Sequence, residues 1–245
     1  MSLRIALLIA AIIFCVTVVA RLPASILTAR LPSMVHCEEP GGTIWQGSCG
    51  MLHADTVSIP QFSWTLHPLP LLRLAISADI RGADPSDGGS ANVLLLHNGD
   101  LTASDVQAVV PLGPSASLLP AGISAVLTLA LPSAAMQAGR VTKVSGTAEL
   151  HNVHVANPAL DLGSFQIQLA PDDADSNVTD GHVRDLDGPL KVDGLLHLQR
   201  AGNFEINGTV APRSTASDDL NRTLQMFLGP ADAQGQHPFS LSGSL

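Results

Sequence analysis

The chain has 245 residues, enough to bury a sizeable core in one or two domains. Hydrophobic residues make up 46% and charged residues only 13%, which excludes a disordered chain. A net charge of −9, with 12 Lys and Arg in no dense run, excludes binding to a phosphate backbone, so no nucleic-acid partner is expected.

Arg4 and Arg21 bracket an uncharged run from Ile5 to Ala20. A membrane span takes about 20 apolar residues and a signal-peptide core about 7–15, and this run falls between them. Leu3 and Leu22 extend it, with the two arginines snorkelling outward. The reading is an uncleaved signal anchor. The alternative is a secretory signal cleaved after Val18-Val19-Ala20. Positive charge is nearly balanced across the run, because Arg21 and Arg30 follow it, but a large domain translocates largely regardless of charge. The expected division is a cytoplasmic tip at 1–4, a transmembrane anchor at 5–22 and a β-rich domain at 23–245 outside the cytoplasm.

Of three cysteines, Cys15 sits in the apolar run. Cys37 and Cys49 can close a small loop as a disulfide in an oxidising compartment. The alternative is two buried thiols. The spacing fits no standard zinc site. Between them lies Gly42-Thr43-Ile44-Trp45-Gln46-Gly47, a G-x-x-W-x-G that reads as a turn into a strand. Gly42 and Gly47 permit unusual backbone angles there, and Trp45 offers a large apolar body to the core. Trp64 shares a strand face with Phe62 and Leu66, and Pro68 ends that strand.

Further along, the sequence alternates. Leu72, Leu74, Ile76, Ala78 and Ile80 share one face of a predicted strand, with Arg73, Ser77 and Asp79 on the other. The pattern returns at Ile123–Leu131, Phe165–Leu169, Leu190–Leu198, Phe204–Val210 and Phe239–Leu245. A parity change near Asn152 predicts a bulge or a turn. Ala201-Gly202-Asn203 signals a hairpin. Residues 82–92 and 171–188 read as exposed loops. Amphipathic segments of this kind favour antiparallel pairing. One helix is signalled: Ser217 caps it, Asp218 and Asp219 open it, Leu220, Leu224, Phe227 and Leu228 form its apolar stripe, and Gly229-Pro230 stops it. It is expected to plug an end or edge of the sheet. The fold class is all-β, mostly antiparallel, as an elongated curved sheet or a sandwich, with one N-terminal transmembrane helix and one short C-terminal helix. One elongated domain is the reading; a division near 115–145 is the alternative.

Chemistry is sparse. None of the nine histidines forms H-E-x-x-H. His151 and His154 face opposite sides of a regular strand and chelate nothing together unless a bulge intervenes. Asp173, Asp175 and Asn177 begin like a calcium loop, but Val178 stands where its glycine belongs and Arg184 where its glutamate belongs. No G-x-S-x-G elbow and no phosphate-binding Walker loop occurs. The sequons at Asn177, Asn207 and Asn221 carry no weight. No catalytic residue, metal or cofactor is expected.

The succession resembles the type II secretion system protein N family. The residues that carry it are Leu22-Pro23-Ala24, the motif of Gly42, Trp45 and Gly47, and Trp64-Thr65-Leu66-His67-Pro68 with Leu71-Leu72. Gly194 to Leu198, Gly202-Asn203-Phe204 with Gly208, Leu228-Gly229 and a last strand near Gly243 follow in order. The resemblance implies a non-enzymatic component held in the bacterial inner membrane by a single span, with its bulk in the periplasm. Its expected partners are the secretin and the inner-membrane platform subunits, which it would scaffold. The alternative is an envelope lipid-binding or lipid-transfer module with an apolar β groove, so lipid stays among the partners considered. A periplasmic hydrolase has almost no support.

Overall fold

Segments that alternate apolar and polar residues turn one face to water and one away from it. Joined by short turns, they pair each strand with its chain neighbour. The computed structural model describes residues 3–29, 35–54, 57–82, 89–113, 122–137, 140–169, 178–199 and 203–244. Two helices come first, α1 (Leu3–Ala20) and the short α2 (Ala24–Thr28). They are followed by β1 (Val35–Glu38), β2 (Gly41–Gly42), β3 (Gln46–Ala54) and β4 (Val57–His67). A 3-10 turn over Leu69–Arg73 leads into β5 (Ala75–Gly82), β6 (Gly89–Leu96), β7 (Leu101–Leu112), β8 (Ile123–Gln137) and β9 (Arg140–Val155). The chain ends with β10 (Leu160–Leu169), β11 (Val178–Asp187), β12 (Leu190–Gln199), β13 (Asn203–Pro212), α3 (Asp218–Leu228) and β14 (His237–Ser244).

All the strands belong to one 14-stranded sheet, in chain order from β1 to β14 except that β2 pairs β3 off the main path. Every pairing is antiparallel. The sheet is therefore a meander without a crossover, and among the described residues β7 pairs β8 and β8 pairs β9.

The register aligns one apolar face along the whole sheet. One row runs Gly89, Ala108, Leu129, Ala148, Ile167, Val183, Gly194, Gly208 and Phe239 across β6 to β14. Another runs Gly47, Trp64, Ile80 and Ala91 across β3 to β6. Bulges keep this face intact where the alternation slips. Asn152, at φ +52, lies at a register shift between β8 and β9, so that Leu150 and Val153 both turn inward. Asp105, at φ +50, does the same on β7. The bulge also puts His151 and His154 on one face, the outer one. Each then takes its own carboxylate, Glu149 and Asp161 respectively.

Helices cover only the ends of the apolar face. Leu220 and Leu224 of α3 pack with Leu160, Leu190, Val192 and Val210. The Ser217 hydroxyl accepts from the Leu220 amide at 3.2 Å and caps the helix, and Gly229 ends it at φ +82. The junction of α1 and α2 covers the other end. Between them, inward side chains from β5 to β8 are mostly half-buried, and Ile76 is 45% exposed.

Four expectations are corrected. Leu72 and Leu74 are not in a strand: Pro68 and Pro70 bias the backbone to a 3-10 turn, Leu74 is left-handed at φ +56, and β5 begins only at Ala75. Of the loop expected at 171–188, Val178–Asp187 is strand β11, whose inward positions Thr179, Gly181 and Val183 hide among acidic residues in the sequence. Of the loop expected at 82–92, Gly82 ends β5 and residues 89–92 open β6. Phe227 leaves the packed stripe, which runs Leu220, Leu224, Leu228, and is 77% exposed. The calcium-like positions 173, 175 and 177, the hairpin tip at 201–202 and Leu245 lie outside the described residues.

Loss of the cap in Ser217→Ala should lower stability by about 1 kcal/mol. Truncating the helix's buried anchor in Leu220→Ala should cost about 2–5 kcal/mol. Urea unfolding of the detergent-solubilised chain checks both, and equal losses would contradict this packing.

Candidate functional site

The G-x-x-W-x-G segment makes the joint between helix and sheet. β2 and the start of β3 form a tight hairpin across Thr43, Ile44 and Trp45. Gly42 needs its freedom: it sits at φ +80, and a β-carbon there would strike the Gln46 carbonyl. Gly47 is glycine for another reason. A β-carbon would fall within the Trp64 ring, which lies directly on it.

Both tryptophans are tied down by their indole N–H groups. Trp64 is buried and donates to the Ile44 carbonyl at 3.0 Å. Trp45 is half-buried and donates to the Val19 carbonyl in the last turn of α1, at 2.9 Å. That carbonyl, at the end of α1, also accepts a longer bond from the Leu22 amide at 3.4 Å, so the indole adds a shorter side-chain cap there. Backbone bonds complete the joint: Ile44 N–H to the Leu22 carbonyl at 2.9 Å, and Leu66 N–H to the Trp45 carbonyl at 2.7 Å. Pro23 bridges Thr43. Ala24 of α2 packs on Trp64 and Cys49, with Phe62, Leu52 and Leu66 around them. Trp64 is thus a core residue and Trp45 a joint residue. Pro68 follows the end of β4 and caps the 3-10 turn.

Cys37 on β1 and Cys49 on β3 are joined in a disulfide, with Cα atoms 5.7 Å apart. It staples the first strand of the sheet, which has only one paired neighbour, to the cluster around Trp64. Cys15 is free and exposed.

The last turns of α1 and the joint enclose an open apolar groove of about 670 Å³. Val16, Val19 and Ala20 line one side; Trp45, Leu66 and Pro68 line the other. Among the described residues no helix is long and apolar enough to cross a membrane. The side chains of Leu3, Arg4, Ala6, Leu8 and Ile12 lie outside the described set. Those of α1 that are described are exposed: Leu7 62%, Phe14 69% and, lining the open groove, Val16 62%.

The outer face of the sheet is polar. His67 meets Asp79 at 3.1 Å and His197 meets Asp180 at 2.7 Å. Gln166 donates to Glu149 and accepts from Arg184, a ladder across β9, β10 and β11. Asp185 does not belong to this face: it shares the inward parity of Val183, is nearly buried opposite Phe165, pairs with Arg213 and accepts the Val192 amide at 2.8 Å. Among the described residues no group of three or more His, Cys, Asp or Glu is placed to hold a metal ion.

The family model for the type II secretion system (T2SS) protein N matches residues 34–240. The chain belongs to the type II secretion system protein N family. It is 26% identical over 236 residues to the type II secretion system protein N of Aeromonas hydrophila, covering 92% of each chain. It is 23% identical over 240 residues to that of Vibrio cholerae, covering 94% of this chain and 93% of the other. No solved structure matches. The sequence did not reveal that Trp45 reaches back to the helix, since a hydrogen bond between positions 19 and 45 leaves no periodic trace. The paired prolines Pro68 and Pro70 were the available signal for the turn at Leu69–Arg73.

Gly47→Ala should cost about 1–3 kcal/mol, because the added methyl displaces the Trp64 ring. Reducing the disulfide, or Cys37→Ala with Cys49→Ala, should cost about 2–4 kcal/mol. Denaturant titration of the purified chain, with and without reductant, measures each; unchanged midpoints would contradict the seating of the ring or the staple.

Proposed function

We propose that this member of the protein N family is a non-enzymatic scaffold of the type II secretion machine, anchored in the inner membrane by residues 5–22. Residues 1–4 form a cytoplasmic tip and residues 23–245 a periplasmic domain whose sheet engages the secretin or inner-membrane platform subunits. The observation that carries this reading is the joint. A helix with outward apolar side chains is locked to the sheet through Trp45 and Val19, so the sheet holds a fixed attitude to whatever the helix enters. The disulfide suits an oxidising compartment such as the periplasm. Strand β14 closes the order of the sheet, with one side unpaired among the described residues, and Leu241 on it is 54% exposed. An open edge of this kind is a natural pairing site for a partner strand.

A second reading has its own observation. Among the described residues no helix packs over the half-buried apolar face from β5 to β8, and that surface has the chemistry to take an acyl chain. Scaffolding is favoured because family membership joins it to a known machine.

In-cell crosslinking with a tag after Leu245, followed by pull-down from membranes, separates the two. Recovery of secretin or platform subunits is expected. Recovery of phospholipid or lipopolysaccharide without those proteins would replace scaffolding by the lipid reading.

A further inference from the structure

The turn between β4 and β5 is an unusual place for leucine. Leu69 is 76% exposed, Leu72 85% and Leu74 70%, with Leu71 at 41%. They form an apolar ridge, with Arg73 set between Leu72 and Leu74, on a turn whose backbone Pro68 and Pro70 restrict and Leu74 terminates in the left-handed region. Arg73 projects from the same ridge and Arg21 from the end of α1. Both are exposed, and neither forms an ion pair among the described residues.

The position of the ridge says what covers it. Pro68, where the ridge begins, faces α1 across the groove that reaches back to Cys15 and Val16. At about 1.5 Å per residue, Cys15 lies roughly 7 Å nearer the N-terminus of α1 than Ala20 does. Amphipathic elements that lie in a bilayer surface bury their apolar side about 5–10 Å into the boundary of headgroups and acyl chains. If α1 is inserted up to Arg21, the start of the ridge falls in that layer. The geometry points to a second membrane contact: Leu69, Leu71, Leu72 and Leu74 wedge into the leaflet beside α1, with Arg21 and Arg73 at the anionic lipid phosphates. This rests on the reading of α1 as a membrane anchor. The wedge adds a second point of contact with the bilayer to the one that the helix joint provides. It differs from the acyl-chain reading above, which concerns the inner face of the sheet and not this turn.

The test places the photocrosslinker p-benzoylphenylalanine in full-length chain, in native membranes, at Leu72, Phe14 or Phe227. Phe227 is an exposed aromatic on α3, at the far end of the sheet. Each replaced side chain is exposed, so folding should survive, and recovery of the disulfide-bonded chain confirms it. The expected result is phospholipid adducts by mass spectrometry at positions 14 and 72, with at least a tenfold lower yield at 227. Adducts at 14 and none at 72 would overturn the wedge and leave the anchor standing. Adducts at neither would overturn both. A protein adduct at 72 would reassign the ridge to a protein partner, and equal lipid adducts at all three sites would show a surface that does not discriminate.

Discussion

Everything in this fold answers one constraint: a single meandering sheet has an apolar face and no second sheet to press it against. The hydrophobic effect makes that face costly in water, and edge strands are costly too when they are left bare. The chain responds locally. At one end α3 folds back over Val192 and Val210; at the other, Ala24, Trp64 and Cys49 close together. Within the face, three aromatic rings lie over glycines. Trp64 covers Gly47, Phe239 lies against Gly194 and Gly208, and Phe204 against Gly243. A glycine leaves a notch in a pleated surface, and a ring from a neighbouring strand fills it without needing a covering layer.

The same economy explains the joint. A helix whose apolar side chains face outward contributes little to the sheet's own core, so something specific must couple the two. The chain uses two indole N–H groups and a set of backbone bonds within a tight hairpin. Directional bonds suit this role better than apolar packing, which tolerates sliding.

Much of the sheet was legible because alternation was strong where both neighbouring strands bury the same parity. Ile123–Leu131 and Phe204–Val210 are examples, and the bulge at Asn152 was visible as a broken parity. The C-terminal helix could be read from Ser217 to Gly229 because caps are local chemistry. What failed has physical causes. Leu72 and Leu74 continued a numerical alternation that the prolines had already interrupted. β11 carries Thr179 and Gly181 at inward positions, where small residues bury little area and give no apolar signal. Phe227 sits at the rim of its helical stripe, where spacing alone does not tell contact from overhang. The motif around Trp45 was recognisable as a turn, but its partner in α1 is a backbone carbonyl, which no side-chain pattern encodes.

The strictly serial pairing of the strands has a kinetic side. A chain that emerges N-terminus first can complete the helix joint and the first two full-length strands before any later strand exists, because all of those contacts lie within residues 15–68. Each following segment then finds a finished edge immediately beside it and closes its loop onto that edge, and only β14 returns after a longer connection that carries α3. Assembly becomes templated growth from a fixed seed. The last strand to arrive inherits the open end, so the molecule finishes building with its exposed edge farthest from where it began.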